Sequence, residues 1–421
     1  MQNSTEENMG STRSEFYSLY LTRFAGSLGF ITILTLLPTY IDVLDPSGVA
    51  VGLFITALGV GRTVAIVPLS WAGDRYDKRT ILLIALATSV SAYLLFAAIS
   101  SSIGFIAART LQGLGIVGTG LISLALISEL APPGDRANVI GKYNSWRMAA
   151  GIIGTLGAGL LYQQFGFTPI FAILALLLTT ALFGVWLFID PDDTSVSEFA
   201  LFDLALNRRI LTLTSFRAQY AVAVTLVRKW VPIYVGVSAA RGGLALSPFI
   251  VGTVIASEKF MNMVSQPYMG RLSDQYGRAL FVFAGGGIYG VVALAIPFAG
   301  PIGSTLGLPA TLPVLGDVSP AYPAILLLNG LLGIADSLRE PASMALFADE
   351  GEDEGIASSF GIRSLVWRPG AIVAPMVGGY LMSAVGMEWV FFLGGAAAVS
   401  GVLTFFVILS SAHGRRALAE W

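Results

Sequence analysis

Cysteine is absent from this chain of 421 residues, and histidine occurs once, at His413. Without thiols there can be no disulfide, no thiolate metal site and no cysteine nucleophile. A single imidazole near the C-terminus leaves neither a histidine-based triad nor a metal cluster to assemble. Charge is scarce as well: Asp, Glu, Lys and Arg make up 12% of the residues against 55% hydrophobic, with a mean hydropathy of +0.76. A soluble domain has about 25% charged residues, so this composition excludes that class and indicates a membrane protein. The glycine pairs lack a strand-loop-helix context, so no nucleotide fold is read from them. No cofactor, metal, catalytic residue or nucleic-acid partner is expected.

What the chain does contain is apolar runs. A helical span of the hydrocarbon core takes about 20 apolar residues, and runs of that order cover roughly 17–42, 48–72, 80–99, 103–130, 138–162, 167–189, 209–236, 245–270, 279–300, 321–347, 357–384 and 387–410. They are too long and continuous for barrel strands. The expected fold is all-α and integral to the membrane, with twelve transmembrane helices in two pseudo-symmetric six-helix bundles. Arg75, Lys78, Arg79, Arg136, Arg208, Arg209, Arg271 and Arg278 lie in one set of loops, and the opposite set has little beyond Arg241. That asymmetry places both termini in the cytoplasm of a multi-pass plasma-membrane protein. The first run is too long for a signal peptide. The domains expected are a cytoplasmic tail at 1–16, a bundle at 17–189, a linker at 190–208, a second bundle at 209–410 and a cytoplasmic tail at 411–421.

The halves repeat each other. Asp74, Tyr76 and Lys78 recur as Asp274, Tyr276 and Arg278, each 200 residues later. Arg23, Pro38 and Tyr40 recur as Arg217, Pro232 and Tyr234 after 194 residues, and Trp146-Arg147 recurs as Trp367-Arg368 after 221. Offsets vary with loop length while the order of matches is kept, and internal repeats of this kind typify secondary transporters.

On these motifs the chain resembles the major facilitator superfamily over essentially its whole length. The loop after the second run is similar to the family signature G-x-x-x-D-R-x-G-R-R through Asp74, Arg75, Lys78 and Arg79, with Ser70 and Asp77 replacing the glycines; the second copy has Gly270, Asp274, Gly277 and Arg278. The resemblance implies a cytoplasmic gate in which the Asp clamps a helix of the opposite half. Arg109-Thr-Leu-Gln112-Gly113-Leu-Gly115 resembles R-x-x-Q-G-x-G, which in the family is associated with proton coupling. The antiporter signature lacks its proline in Gly154-Thr155-Leu-Gly157-Ala158-Gly159, and the sugar-porter signature is absent after the sixth run.

Charges inside the runs carry the remaining information, because ionised side chains at membrane depth normally face the bundle interior. Glu258, Asp336, Arg339 and Glu340 join Arg109 and Gln112 as candidates for proton coupling or the cavity. Asp336, Arg339 and Glu340 share one helical face at i, i+3 and i+4. Arg62, Arg147, Arg228, Lys229 and Arg368, with Trp146 and Trp367, are candidates for a substrate cavity. Among the intramembrane charges the basic residues outnumber the acidic ones, which suggests an anionic substrate. The expected function is secondary active transport of a small organic solute by alternating access, coupled to protons, as an exporter of drug-like or metabolite compounds. An organic-anion carrier and a non-transporting receptor of the same fold are the alternatives. Nothing requires more than a monomer.

Overall fold

The computed structural model describes residues 2–131, 136–191, 208–312, 316–349, 356–414 and 418. Its helices are α1 (Gln2–Leu44), α2 (Gly48–Arg75), α3 (Lys78–Ala97), α4 (Ser102–Leu130), α5 (Arg136–Phe165), α6 (Phe167–Phe188), α7 (Arg208–Ser215), α8 (Arg217–Gly236), α9 (Pro248–Tyr276), α10 (Arg278–Ala295), α11 (Ala299–Thr305), α12 (Ala321–Asp349), α13 (Ile356–Ala384) and α14 (Glu388–His413). A two-residue ribbon, Thr311–Leu312 against Gly316–Asp317, is the sole sheet among the described residues.

Eight segments among the described residues are long and apolar enough to cross a membrane. They comprise α1, α2, α3, α4, α6, α12, α14 and α10 continued through α11. The other long helices, α5, α8, α9 and α13, hold Arg147, Arg228 with Lys229, Glu258 with Lys259, and Arg368. The apolar run expected at 209–236 is not one helix: it breaks at Phe216, between α7 and α8. The run at 279–300 gives way to a 3-10 turn at Ile296–Phe298, where Pro297 lacks the N–H a continuing helix needs.

Short polar side chains set the helix starts. Ser101 accepts from the Gly104 N–H, and Ser247 from the Ile250 N–H ahead of Pro248. Prolines inside α1, α2, α8, α9, α12 and α13 are tolerated because neighbouring helices and hydroxyls re-satisfy the freed carbonyls.

The chain divides into two compact units, Met1–Asp45 with Leu53–Ala200, and Pro46–Gly52 with Leu201–Trp421. Within unit 1, α3 packs between α4 and α6, and α1 packs on α5, α6 and α4. Unit 2 repeats the pattern with α10 between α12 and α14, and α8 against α13 and α14. Close approach depends on glycine in both. A Cβ on Gly113 would sit 2.5 Å from the Leu58 carbonyl oxygen, and one on Gly333 would sit 2.2 Å from that of Glu258. Leu58 and Glu258 are 200 residues apart, and Gly113 and Gly333 are 220 apart, so the same contact occurs twice.

Candidate functional site

In unit 2, helix packing gathers the charged residues into one alternating chain. Arg228 on α8 donates from Nη2 to Glu258 Oε1 on α9 at 2.7 Å and to Asp336 Oδ2 on α12 at 2.9 Å. The other Asp336 oxygen accepts from Arg339 Nη2 at 2.6 Å. Arg339 also pairs with Glu340 Oε2 at 2.7 Å, and Glu340 in turn accepts from Arg363 on α13. Lys259 extends the other end, 3.8 Å from Glu258 Oε2. The order is Lys259, Glu258, Arg228, Asp336, Arg339, Glu340, Arg363, with sign alternating at each step. Glu258, Asp336 and Arg339 are buried; Arg228 and Glu340 are half-buried.

An ionised group at the centre of a membrane helix costs about 2.5–3.5 kcal/mol on insertion scales. Mutual pairing is what makes a whole series of them acceptable here. The network therefore holds its geometry only while its carboxylates remain charged. A proton on Glu258 or Asp336 would remove one of the two anchors of Arg228.

Aromatic rings line this chain. Arg339 lies over Tyr220 with its guanidinium 4.4 Å from the ring centre, and Tyr220 meets Tyr289 of α10 at 5.5 Å. Both phenol oxygens are buried without a hydrogen-bond partner among the described residues, as are Arg339 Nε and Nη1. Arg217 stacks on Trp367 at 5.0 Å and donates from Nε to the Arg363 carbonyl at 2.7 Å. Trp367, expected to line a substrate cavity, is occupied by Arg217. Arg228, expected there too, is already held by two carboxylates. Lys229 and Arg368 are half-buried beside them in sequence.

Arg363, Tyr220 and Tyr289 are not legible as site residues in the sequence, since nothing in their local spacing announces a partner on another helix. Arg217 does carry a signal, its match to Arg23.

Unit 1 has a network of a different kind. Arg109 donates from Nε to the Phe54 carbonyl at 3.2 Å and from Nη1 to Gln112 Oε1 at 2.7 Å. Gln112 then donates to Tyr93 OH at 2.6 Å. All three side chains are buried, and the bonds tie α4 to α2 and α3. Unit 2 has the counterpart: Asn329 donates to the Val254 carbonyl at 2.5 Å, and Phe54 and Val254 are 200 residues apart. Arg109 thus occupies a position whose repeat partner is a neutral clamp. Its hydrogen bonds make it a tie between helices.

The two loop motifs differ. In the second, Gly277 takes φ +102°, ψ 121°, a conformation open to glycine, and Asp274 Oδ1 accepts from Arg278 Nε at 2.8 Å. In the first, Asp77 stands at the glycine position with φ −51°. Its carboxylate caps α3, accepting from the Arg79 and Thr80 N–H groups at 3.0 and 3.1 Å. Lys78 pairs with Glu129 at 3.2 Å, Arg79 donates to the Trp186 carbonyl, and Arg75 lies over Trp71 at 5.0 Å. The Asp74 side chain lies outside the described residues. Gly270 sits in the last third of α9, with Pro341 of α12 in ordinary contact range of a Cβ there.

Among the described residues no group of three His, Cys, Asp or Glu could hold a metal. A polytopic helical protein with a paired ionic chain inside its helices and an internally repeated loop motif is built as a membrane carrier. The family comparison agrees: the Major Facilitator Superfamily model matches residues 19–308 and 233–420, and the chain belongs to that family of transporters, not enzymes. It is similar to the staphyloferrin B transporter of Staphylococcus aureus, 25% identical over 66% of this chain and 69% of that protein. It is also similar to the multidrug resistance protein MdtG of Salmonella choleraesuis, 25% identical over 93% of each. Among solved structures, the nucleoside transporter NupG aligns with a TM-score of 0.71 at 15% identity, covering 94% of this chain and 99% of that one. A bacterial homolog of the human lysosomal transporter Spinster, inward-facing and occupied, aligns with a TM-score of 0.69 at 13% identity over 93% and 96%. These likenesses show the fold.

Proposed function

We propose that this chain exports a small organic solute from the cytoplasm by alternating access and draws its energy from proton exchange. Twelve spans form two six-helix bundles in the plasma membrane, at 17–189 and 209–410, joined by a cytoplasmic linker at 190–208 with both termini on the cytoplasmic side. Protons are the coupling ion and a monomer is the working unit. The observation that carries this reading is Arg228 held jointly by Glu258 and Asp336. Such a shared cation is a two-position switch. With both carboxylates ionised it stays between α9 and α12, and with one protonated it is released to follow the other helix or a substrate anion.

Export direction is supported by the likeness to the multidrug resistance protein over 93% of both chains. The cations and titratable groups around the switch come from several neighbouring helices: Lys259 from α9, Arg339 and Glu340 from α12, Arg363 from α13, Tyr220 from α8 and Tyr289 from α10.

Proteoliposomes carrying an imposed pH gradient test the reading. Wild-type protein should move protons against substrate flux and should show faster counterflow exchange than empty vesicles. Glu258→Gln and Asp336→Asn should each lose most of the gradient-driven accumulation while keeping exchange, since exchange needs no net proton. An unaltered pH dependence in both variants would remove the carboxylates from the mechanism.

A further inference from the structure

Unit 1 holds a second set of charges that the switch does not use. Arg23 on α1, Arg62 on α2, Arg109 on α4 and Arg147 on α5 belong to one bundle: Arg23 sits over Tyr143, one turn before Arg147 on α5, and Arg62 sits over Phe30, two turns after Arg23 on α1. All four have the same sign. Among the described residues no Asp or Glu pairs with any of the four, whereas in unit 2 each cation of the ionic chain has an acidic neighbour.

Arg109 is answered by a carbonyl and by Gln112. Two of the other three meet aromatic rings. The guanidinium of Arg23 sits over the Tyr143 ring at 5.0 Å with its Nε buried and lacking an acceptor. Arg62 sits over Phe30 at 5.0 Å, and Arg147 is exposed. A π face attracts the cation without supplying an acceptor to N–H groups that point away from the ring, and Arg23 Nε is left without one. The guanidinium fork matches a carboxylate two bonds at a time. Beside Arg147, Trp146 is 41% exposed while packed by Tyr20 at 6.3 Å and Phe24 at 5.9 Å, a rigid apolar wall next to the open cation.

We propose that Arg23, Arg62 and Arg147 form a binding subsite for a carboxylate-bearing organic anion whose apolar body lies on Trp146. The subsite names the substrate class of the transporter and rests on that reading for its biological meaning. Unit 1 recognises a carboxylate through cations that have no acidic partner among the described residues, and unit 2 supplies the proton.

The test uses full-length protein in detergent, with thermal unfolding and calorimetric titration against succinate, benzoate and inorganic phosphate at constant ionic strength, and against succinamide and benzamide as neutral matches. Either carboxylate should raise the melting temperature in a saturable way, while the amides do not. Arg23→Gln, Arg62→Gln and Arg147→Gln should each weaken binding about tenfold or more, the loss expected when a charge-assisted pair goes. Arg62→Lys should lose less, because it keeps the charge without the fork. Arg271→Gln, on the exposed side of α9, should bind like wild type. Acids and amides acting alike, neither acting, phosphate acting alone, or an unchanged response in Arg62→Gln would overturn the subsite. If a Gln variant shows no cooperative melt, the wild-type acid-against-amide comparison and Arg62→Lys still decide. Carboxylate binding without transport would sink the carrier reading and leave the subsite; proton-driven transport without carboxylate binding would do the reverse.

Discussion

Arg339 is held from three sides in unit 2. It bridges Asp336 and Glu340 and covers the face of Tyr220. Truncating it would strand two carboxylates with only Arg228 and Arg363 to answer them. Removing one partner from a buried ionic group costs about 3–5 kcal/mol. Arg339→Ala should therefore lower the melting temperature sharply in detergent, and Arg339→Lys should lower it less, since a point charge can still reach one carboxylate. The spacing of Asp336, Arg339 and Glu340 is legible in the sequence because it lies on one helix turn. The completion of the chain by Arg228, Glu258 and Arg363 is not, because those partners come from α8, α9 and α13 and only packing brings them together. The same limit hides Tyr220 and Tyr289.

Helix packing carries the duplication more faithfully than residue identities do. The tie from α4 to α2 through Arg109 and Phe54, and from α12 to α9 through Asn329 and Val254, is one construction made with different side chains, so residue identity does not reveal it. The loop motif shows the opposite case. Its residues match in sequence, yet the two copies fold differently at the position where Asp77 replaces the glycine of the second copy. Asp77→Ala should cost about 1 kcal/mol through the lost cap on α3, and Asp77→Gly only a few tenths, as read by thermal unfolding. At the helix crossings, Gly113→Val and Gly333→Val should each destabilise by about 1–3 kcal/mol or more, because the added atoms meet backbone oxygens that cannot rotate away. Loss of monodisperse protein in size exclusion would be the visible result. The break at Phe216 falls where the run is least apolar, between Thr212, Thr214 and Ser215 on one side and Arg217 and Gln219 on the other.

At the scale of the molecule, composition settles the class because the bilayer leaves few alternatives for a chain this apolar. What composition cannot supply is the asymmetry between the units among the described residues: a paired ionic chain in one, and in the other Arg23, Arg62, Arg109 and Arg147 without an acidic partner. We read that asymmetry as a separation of energy coupling from substrate recognition, with motion between two states joining them. The complete lack of cysteine makes the motion directly measurable in an otherwise native chain. Tyr76 and Tyr276 are both exposed, at 57% and 62%, and hold corresponding places in the two loop motifs. Spin labels on a Tyr76→Cys, Tyr276→Cys double variant in nanodiscs would report the separation by pulsed dipolar spectroscopy. Alternating access driven by the carboxylates predicts two distance populations whose ratio shifts between acidic and alkaline pH, and a ratio insensitive to pH when Glu258→Gln is added. A single distribution, unchanged by pH or by that substitution, would contradict it.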